Sequence, residues 1–126
     1  MQAKSDFEPI FQRLKAILEP YAARLVVAGD SKTSYNLETS QIMKNKHRLY
    51  FAGVRMGKAY VSYYLMPVYC CPELQAAISP ELKKRMHGKS CFNFKEVDEK
   101  LFNELGKLTK RGLAKFSDKK FLASLQ

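Results

Sequence analysis

The sequence predicts an α+β fold: a two-layer sandwich with a largely antiparallel five-stranded sheet and N- and C-terminal helices, in the order α-β-β-β-β-α-β-α. Three observations carry this reading. Phe7, Ile10, Phe11, Leu14, Ile17, Leu18 and Tyr21 recur at three- and four-residue steps, the mark of an amphipathic helix. Strand-length apolar runs then cluster between Arg24 and Tyr69. Leu101, Phe102, Leu105 and Leu108 restore the helical period near the C-terminus. Strands grouped in the middle with helices at the ends suit helices packed on one face of a sheet.

Taken in order, the first helix starts either with Ser5 and Glu8 as a capping box or at Glu8 with Pro9 in the first helical position. Pro20 disfavours helix at Glu19 and ends it there. Arg24 to Ala28 is a short strand, Gly29-Asp30-Ser31 a turn, and Thr33 to Thr39 a second strand. Residues 41–47 form a polar, basic loop. Arg48 to Tyr69 reads as a β-hairpin turning at Arg55-Met56-Gly57-Lys58, where Gly57 can supply a positive φ. Pairing Val54 with Ala59 sets Ala52 against Val61 and Tyr50 against Tyr63. One face is then Tyr50, Ala52, Val54, Ala59, Val61 and Tyr63, small and apolar, suited to lie under a helix. The other holds Leu49, Phe51, Gly53, Arg55, Lys58, Tyr60, Ser62, Tyr64 and Met66, with Gly53 opposite Tyr60.

Pro67 and Pro72 close the hairpin, and Pro72 to Ile78 makes one or two helical turns. Ser79 caps a helix that has Pro80 first, runs through Leu82 and Met86, and stops at Gly88. Ser90 to Phe94 is the fifth strand, with Cys91 and Asn93 on one side and Phe92 and Phe94 on the other. Asp98 caps the long helix. Gly106 sits inside it, for which a close helix–sheet contact is one reason, and Gly112 ends or kinks it. Phe116, Phe121, Leu122 and Leu125 supply a last amphipathic turn after Asp118.

A chain of 126 residues suits a single domain spanning 1–126 and buries enough surface to fold without disulfide or metal. Its apolar segments are too short and too interrupted to span a membrane. Met1 to Lys4 leads into the helix without the apolar core of a signal peptide. Three cysteines, an odd number with two adjacent, do not make a secreted disulfide framework, so a reducing cytoplasm is the expected location. The net charge of +10 is uneven: no acidic residue lies between Glu38 and Glu73, where Lys44, Lys46, Arg48, Arg55 and Lys58 fall. Lys83, Lys84, Arg85 and Lys89 form a second cluster, and the C-terminal helices carry a third. Such a balance favours polyanionic partners, although lysines on solvated helix faces also serve solubility.

The sharpest functional feature is the second face of the hairpin. Arg48, Phe51, Arg55, Lys58, Tyr60 and Tyr64 set ring planes beside cations, the combination that binds an anionic or planar ligand, including single-stranded nucleic acid. The competing reading is that these rings pack under the C-terminal helix as core. Cys70, Cys71, His87 and Cys91 form a weaker candidate for zinc, since adjacent cysteines point to opposite sides of a strand. Cys91 beside Lys89 and His87 has the electropositive setting of a reactive thiol. No catalytic motif is present, and neither enzymatic activity nor a cofactor is expected. The oligomeric state is left open.

The hairpin ending YVSYYLMP, the PEL and SPELKKRM segments, and GKSCFNF followed by an amphipathic helix together resemble the YdhG-like family. The resemblance covers roughly Phe7 to Leu113 and is one of layout. It implies a compact domain of frataxin-like α+β architecture, and for some members a role as an iron chaperone. The family's Trp-x-x-Pro segment in the second strand is absent here, where the chain reads SYNLETSQ. Asp6, Glu8 and Glu19 on the first helix alternate with Arg13 and Lys15, whereas iron sites want clustered carboxylates. No iron-binding residues are therefore carried over.

Overall fold

The computed structural model describes residues 3–124. Helix α1 (Ala3–Leu18) buries Phe7, Ile10, Phe11, Leu14 and Leu18 on one stripe, as the three- and four-residue spacing dictates. It starts at Ala3, so Ser5 lies within the first turns instead of capping them. A 3-10 turn over Glu19–Arg24 takes Pro20 at its start and ends the helix where expected. Strands β1 (Val26–Asp30), β2 (Ser34–Ile42), β3 (Arg48–Met56) and β4 (Val61–Leu65) follow as a meander.

The next segment departs from expectation. The strand ends at Leu65, and Pro67 opens a short helix α2 (Met66–Cys70), because proline fits the first helical turn and cannot donate to a central ladder. Helices α3 (Pro72–Ala76) and α4 (Pro80–Lys83) come after it. Ser79 caps α4 as read, its hydroxyl accepting from the Leu82 N–H at 3.1 Å. The helix does not reach Met86. Met86–His87 forms a two-residue strand β5, and the Asn93 N–H donates to the Arg85 carbonyl at 2.8 Å. Gly88, at a φ of 81°, turns β5 into β6 (Cys91–Phe94) instead of stopping a helix. The sheet thus has six strands, all antiparallel, in the order β1-β2-β3-β4-β6-β5.

Helix α5 (Glu99–Phe116) is capped by Asp98, whose carboxylate accepts from the Leu101 N–H at 3.1 Å. It runs straight through Gly112. A Cβ there would lie 2.7 Å from Cβ of Pro67, so this glycine lets α5 pack directly on α2. Gly106 has no such neighbour within 4 Å, so the close helix–sheet contact expected there is not made; the close approach in α5 is the helix–helix one at Gly112. Helix α6 (Lys119–Ser124) buries Leu122 and sets Phe121 against Phe116; Leu125 lies outside the described residues.

Helices α1, α2 and α5 cover one face of the sheet. The core between the layers includes Tyr35, Leu37, Val54, Val61, Tyr63, Phe92 and Phe94 from the strands. Fully burying a side chain of this size contributes about 1.5–3 kcal/mol. One polar pair crosses the layers: the Tyr63 hydroxyl lies 2.6 Å from Oγ1 of Thr109, which donates to the Leu105 carbonyl at 2.7 Å. The α+β sandwich therefore forms as read, with its second sheet face left open.

Replacing Gly106 by Ala is expected to stabilise the protein by about 1 kcal/mol, since the site is helical and open. Gly112→Ala is expected to cost roughly 1–3 kcal/mol by forcing the Pro67 ring away. Urea midpoints at unchanged slope measure both.

Candidate functional site

The open face is set by the register of β3, and two features of that register differ from expectation. Val54 pairs with Tyr63, four residues beyond the expected Ala59. Ala52 meets Leu65, and Gly53 meets Tyr64 instead of Tyr60. The turn closes later, with the Gly57 N–H donating to the Tyr60 carbonyl at 2.9 Å and no positive φ at Gly57. The slip is even, so each residue of β4 keeps its expected face.

The second feature changes the faces. On β2 the adjacent residues Leu37 and Glu38 pair with Ala52 and Tyr50, which leaves Phe51 as the extra residue of a β-bulge. Phe51 turns into the helical layer, fully buried, its ring centroid 6.0 Å from that of Phe116. Tyr50 turns out to the open face in its place. Phe51 is thus withdrawn from the candidate surface, and Tyr50 leaves the apolar face on which alternation had put it.

Tyr50 then lies over Gly53. Its hydroxyl donates to Oδ1 of Asn36 at 2.8 Å, and a Cβ on Gly53 would fall 2.1 Å from the Tyr50 oxygen and 2.2 Å from that Oδ1. Gly53 therefore leaves the space in which this pair meets, a role the expected Tyr60 does not take. Burial pushes the Tyr50 phenol above its ordinary value, and nearby Tyr64, Glu38 and Cys91 add to the shift. One row across the face runs Gly29, Asn36, Gly53, Tyr64, Cys91 and His87 in successive strands. The next runs Ser34, Arg55, Ser62 and Asn93, with the Ser62 hydroxyl donating to Oδ1 of Asn93 at 2.7 Å.

At the β3–β4 turn the face ends in a shallow groove of about 640 Å³. Thr33, Arg55, Gly57, Lys58, Tyr60 and Ser62 line it, and no acidic side chain does. Arg55, Lys58 and Tyr60 are exposed, Tyr60 at 39%. Tyr64 stands two residues along β4 from Ser62 on the same side, half-buried. Three of the six candidate residues, Arg55, Lys58 and Tyr60, therefore share the groove, with Tyr64 beside it. Arg48 sits at the far end of β3, about 23 Å away at the rise of an extended strand.

The arginines and lysines in ion pairs among the described residues are Arg13 with Glu99, Lys15 with Asp30 and Lys115 with Glu73. All belong to the helices, and none engages Arg48, Arg55 or Lys58. At the tip of the β2–β3 hairpin, Lys46 adopts a φ of 71°. The Lys46 N–H donates to the Met43 carbonyl and the Met43 N–H to the His47 carbonyl, a three-residue loop that normally takes glycine at this place. Lysine there costs about 1 kcal/mol.

The cysteines do not converge. Cys70 is in α2, Cys71 is buried after it, and Cys91 pairs with His87 across the β5–β6 turn. Among the described residues no three His, Cys, Asp or Glu side chains gather as a metal site would need. Burial pushes the Cys91 thiol up, with hydrogen bonding to Ser62 and Tyr64 only partly offsetting it, so the electropositive activation expected from Lys89 and His87 is not what governs this thiol. Burial raises Cys70 and Cys71 likewise.

Sequence reasoning missed Tyr50, Asn36 and Thr33, because a bulge and a neighbouring strand bring them to the face. It also missed a second groove of about 600 Å³, where Tyr69 carries Nζ of Lys89 at 5.9 Å from its ring centroid, beside Lys83 and Met86. The lysine cluster was legible; Tyr69 was masked by its placement at a strand end. No helix among the described residues is long and apolar enough to cross a membrane. Comparison of the chain with family models, with curated proteins and with solved structures finds no match.

The raised Tyr50 phenol has a consequence for pH dependence. The fold favours the neutral form, so its contribution is complete below the ordinary tyrosine value of 10.0 and is lost as pH climbs above it. The unfolding free energy is expected to fall above about pH 10, and Tyr50→Phe to reduce the fall. Urea titrations of both proteins across that range measure it; the buried Tyr63 phenol, raised by the same cause, retains its own share.

Proposed function

We propose that this chain is a binding domain whose open sheet face takes an anionic ligand carrying a planar ring. The observation that supports it is the groove at the β3–β4 turn, where Arg55, Lys58 and Tyr60 stand exposed with no acidic lining residue. Arg55 offers a planar fork for a phosphate or carboxylate, and Lys58 a mobile point charge. Tyr60 and Tyr64 offer faces for stacking, each worth about 1–3 kcal/mol against a nucleobase. The hydroxyls of Thr33 and Ser62 add neutral hydrogen-bonding groups.

On this reading the chain binds and performs no chemistry, and its three free cysteines suit a reducing compartment. The iron-handling role implied by the YdhG-like resemblance would need a cluster of hard oxygen ligands. The dispersed acidic residues offer it no support.

The chain has seven tyrosines and no tryptophan, so tyrosine emission, to which Tyr60 and Tyr64 contribute, can be followed without overlap. Titration with a nucleoside monophosphate is expected to quench it. Tyr64→Ala is expected to weaken binding about tenfold, and Arg55→Ala with Lys58→Ala to weaken it further and remove its dependence on salt. Affinity indifferent to both changes, or absent in the parent protein, overturns the reading.

A further inference from the structure

We propose that the ligand of this face is a single-stranded nucleic acid, and that the β2–β3 hairpin is a second backbone contact for it, supplied by Lys44, Lys46 and Arg48. The inference rests on the groove reading above and extends it from one end of β3 to the other.

The bulge at Phe51 is what makes the track continuous. Arg48 and Arg55 are separated by an odd number of residues, which in a regular strand would put them on opposite faces. With Phe51 as the extra residue, Tyr50 turns to the open face; a second register shift lies between Tyr50 and Arg48, and across it Leu49 packs against the core, which leaves its neighbour Arg48 on the open side. Cations then stand at both ends of a stretch of about 23 Å, longer than a mononucleotide and suited to several nucleotides of extended strand. Between them lie Tyr50 and Tyr64, half-buried, with glycine instead of a side chain between their strands' polar groups.

The hairpin tip is built for exposure. Lys44, Lys46, His47 and Arg48 are all exposed, and none is in an ion pair among the described residues. Lys46 holds the left-handed position of the loop, at a φ of 71°, where glycine would sit without strain. A cation kept in a strained backbone position motivates a role for the charge. The acid on the face is Glu38, opposite Tyr50 at mid-track. It repels phosphate there and favours a strand whose bases face the tyrosines while its phosphates meet the cations at the ends. Rings can reach the faces of bases only where these are unstacked, which selects a single strand over a duplex.

The test is the salt dependence of binding to a labelled single-stranded oligonucleotide of about eight nucleotides, followed by anisotropy. With five cations on phosphate, log K is expected to fall with log salt at a slope of about −3.5. The triple variant Lys44→Ala, Lys46→Gly, Arg48→Ala is expected to reduce the slope to about −1.4, leaving the groove pair. Lys46→Gly relieves the loop, so the variant keeps its fold, which circular dichroism checks. A slope unchanged in the triple variant overturns the arm contact while the groove reading stands, and so does binding of a mononucleotide without the oligonucleotide. Duplex of the same length bound as tightly overturns the choice of a single strand. Binding of neither nucleotide nor oligonucleotide overturns the groove reading itself.

Discussion

The bulge at Phe51 is the constraint on which the two faces of this sheet depend. It sends Phe51 onto Phe116 in the helical layer and Tyr50 onto Asn36 in the open one. An aromatic ring is thereby added to the core and a phenol to the surface within two consecutive residues. Leu49 packs back against the core, which sets its neighbour Arg48 on the side of Tyr50. Bulges cost a ladder hydrogen bond and bend the strand; here the offset comes from burying a whole phenylalanine, worth about 1.5–3 kcal/mol. Gly53 completes the arrangement, since the Tyr50–Asn36 pair occupies the space a Cβ would fill.

The helical layer explains why the other face stays open. Its contacts with the sheet are made from one side and are tight. Tyr63 is fully buried and meets Thr109, and within the layer Gly112 of α5 admits Pro67 of α2 at a distance no other residue would allow. Thr109 can donate to Leu105 while accepting from Tyr63, so no buried polar atom in that crossing is left unpaired. With α5 held there, α6 folds back on Phe116 and cannot reach the opposite surface. What remains on the open face is polar, half-buried at Asn36 and Asn93 and buried at Ser62, and these groups bond to one another or to tyrosine. Such a surface is content in water and needs no partner to be stable, which suits reversible binding.

Charge follows the same division. The acidic residues fall mainly on helices and their flanks, where Glu99 pairs with Arg13 and Glu73 with Lys115, while Asp30 at the end of β1 pairs with Lys15. The β2–β3 and β3–β4 turns carry cations without local acids. Exposed pairs of this kind add little stability.

Periodicity and capping signals by themselves determined the layers: the buried stripes of α1 and α5, that Phe92 and Phe94 share one side of their strand, and that Ser79 and Asp98 start helices. These are local properties, set by spacing along one element or by a side chain and an N–H three residues on. Arg48, Phe51, Arg55, Lys58, Tyr60 and Tyr64 also stood out as a basic, aromatic group, from which the structure withdraws Phe51. Only the tertiary structure decided the rest. Whether Met86 continues a helix or joins β6 depends on a strand that follows it. Whether Gly112 breaks α5 depends on Pro67, far back in the chain. The places of Phe51, Tyr50 and Arg48 depend on how β2 is registered against β3 and on a phenylalanine in the C-terminal helix. A period of two fixes faces only while the ladder is regular, and one inserted residue exchanges them. That single residue is why Phe51 leaves the basic, aromatic group for the core and Tyr50 takes its side of the sheet.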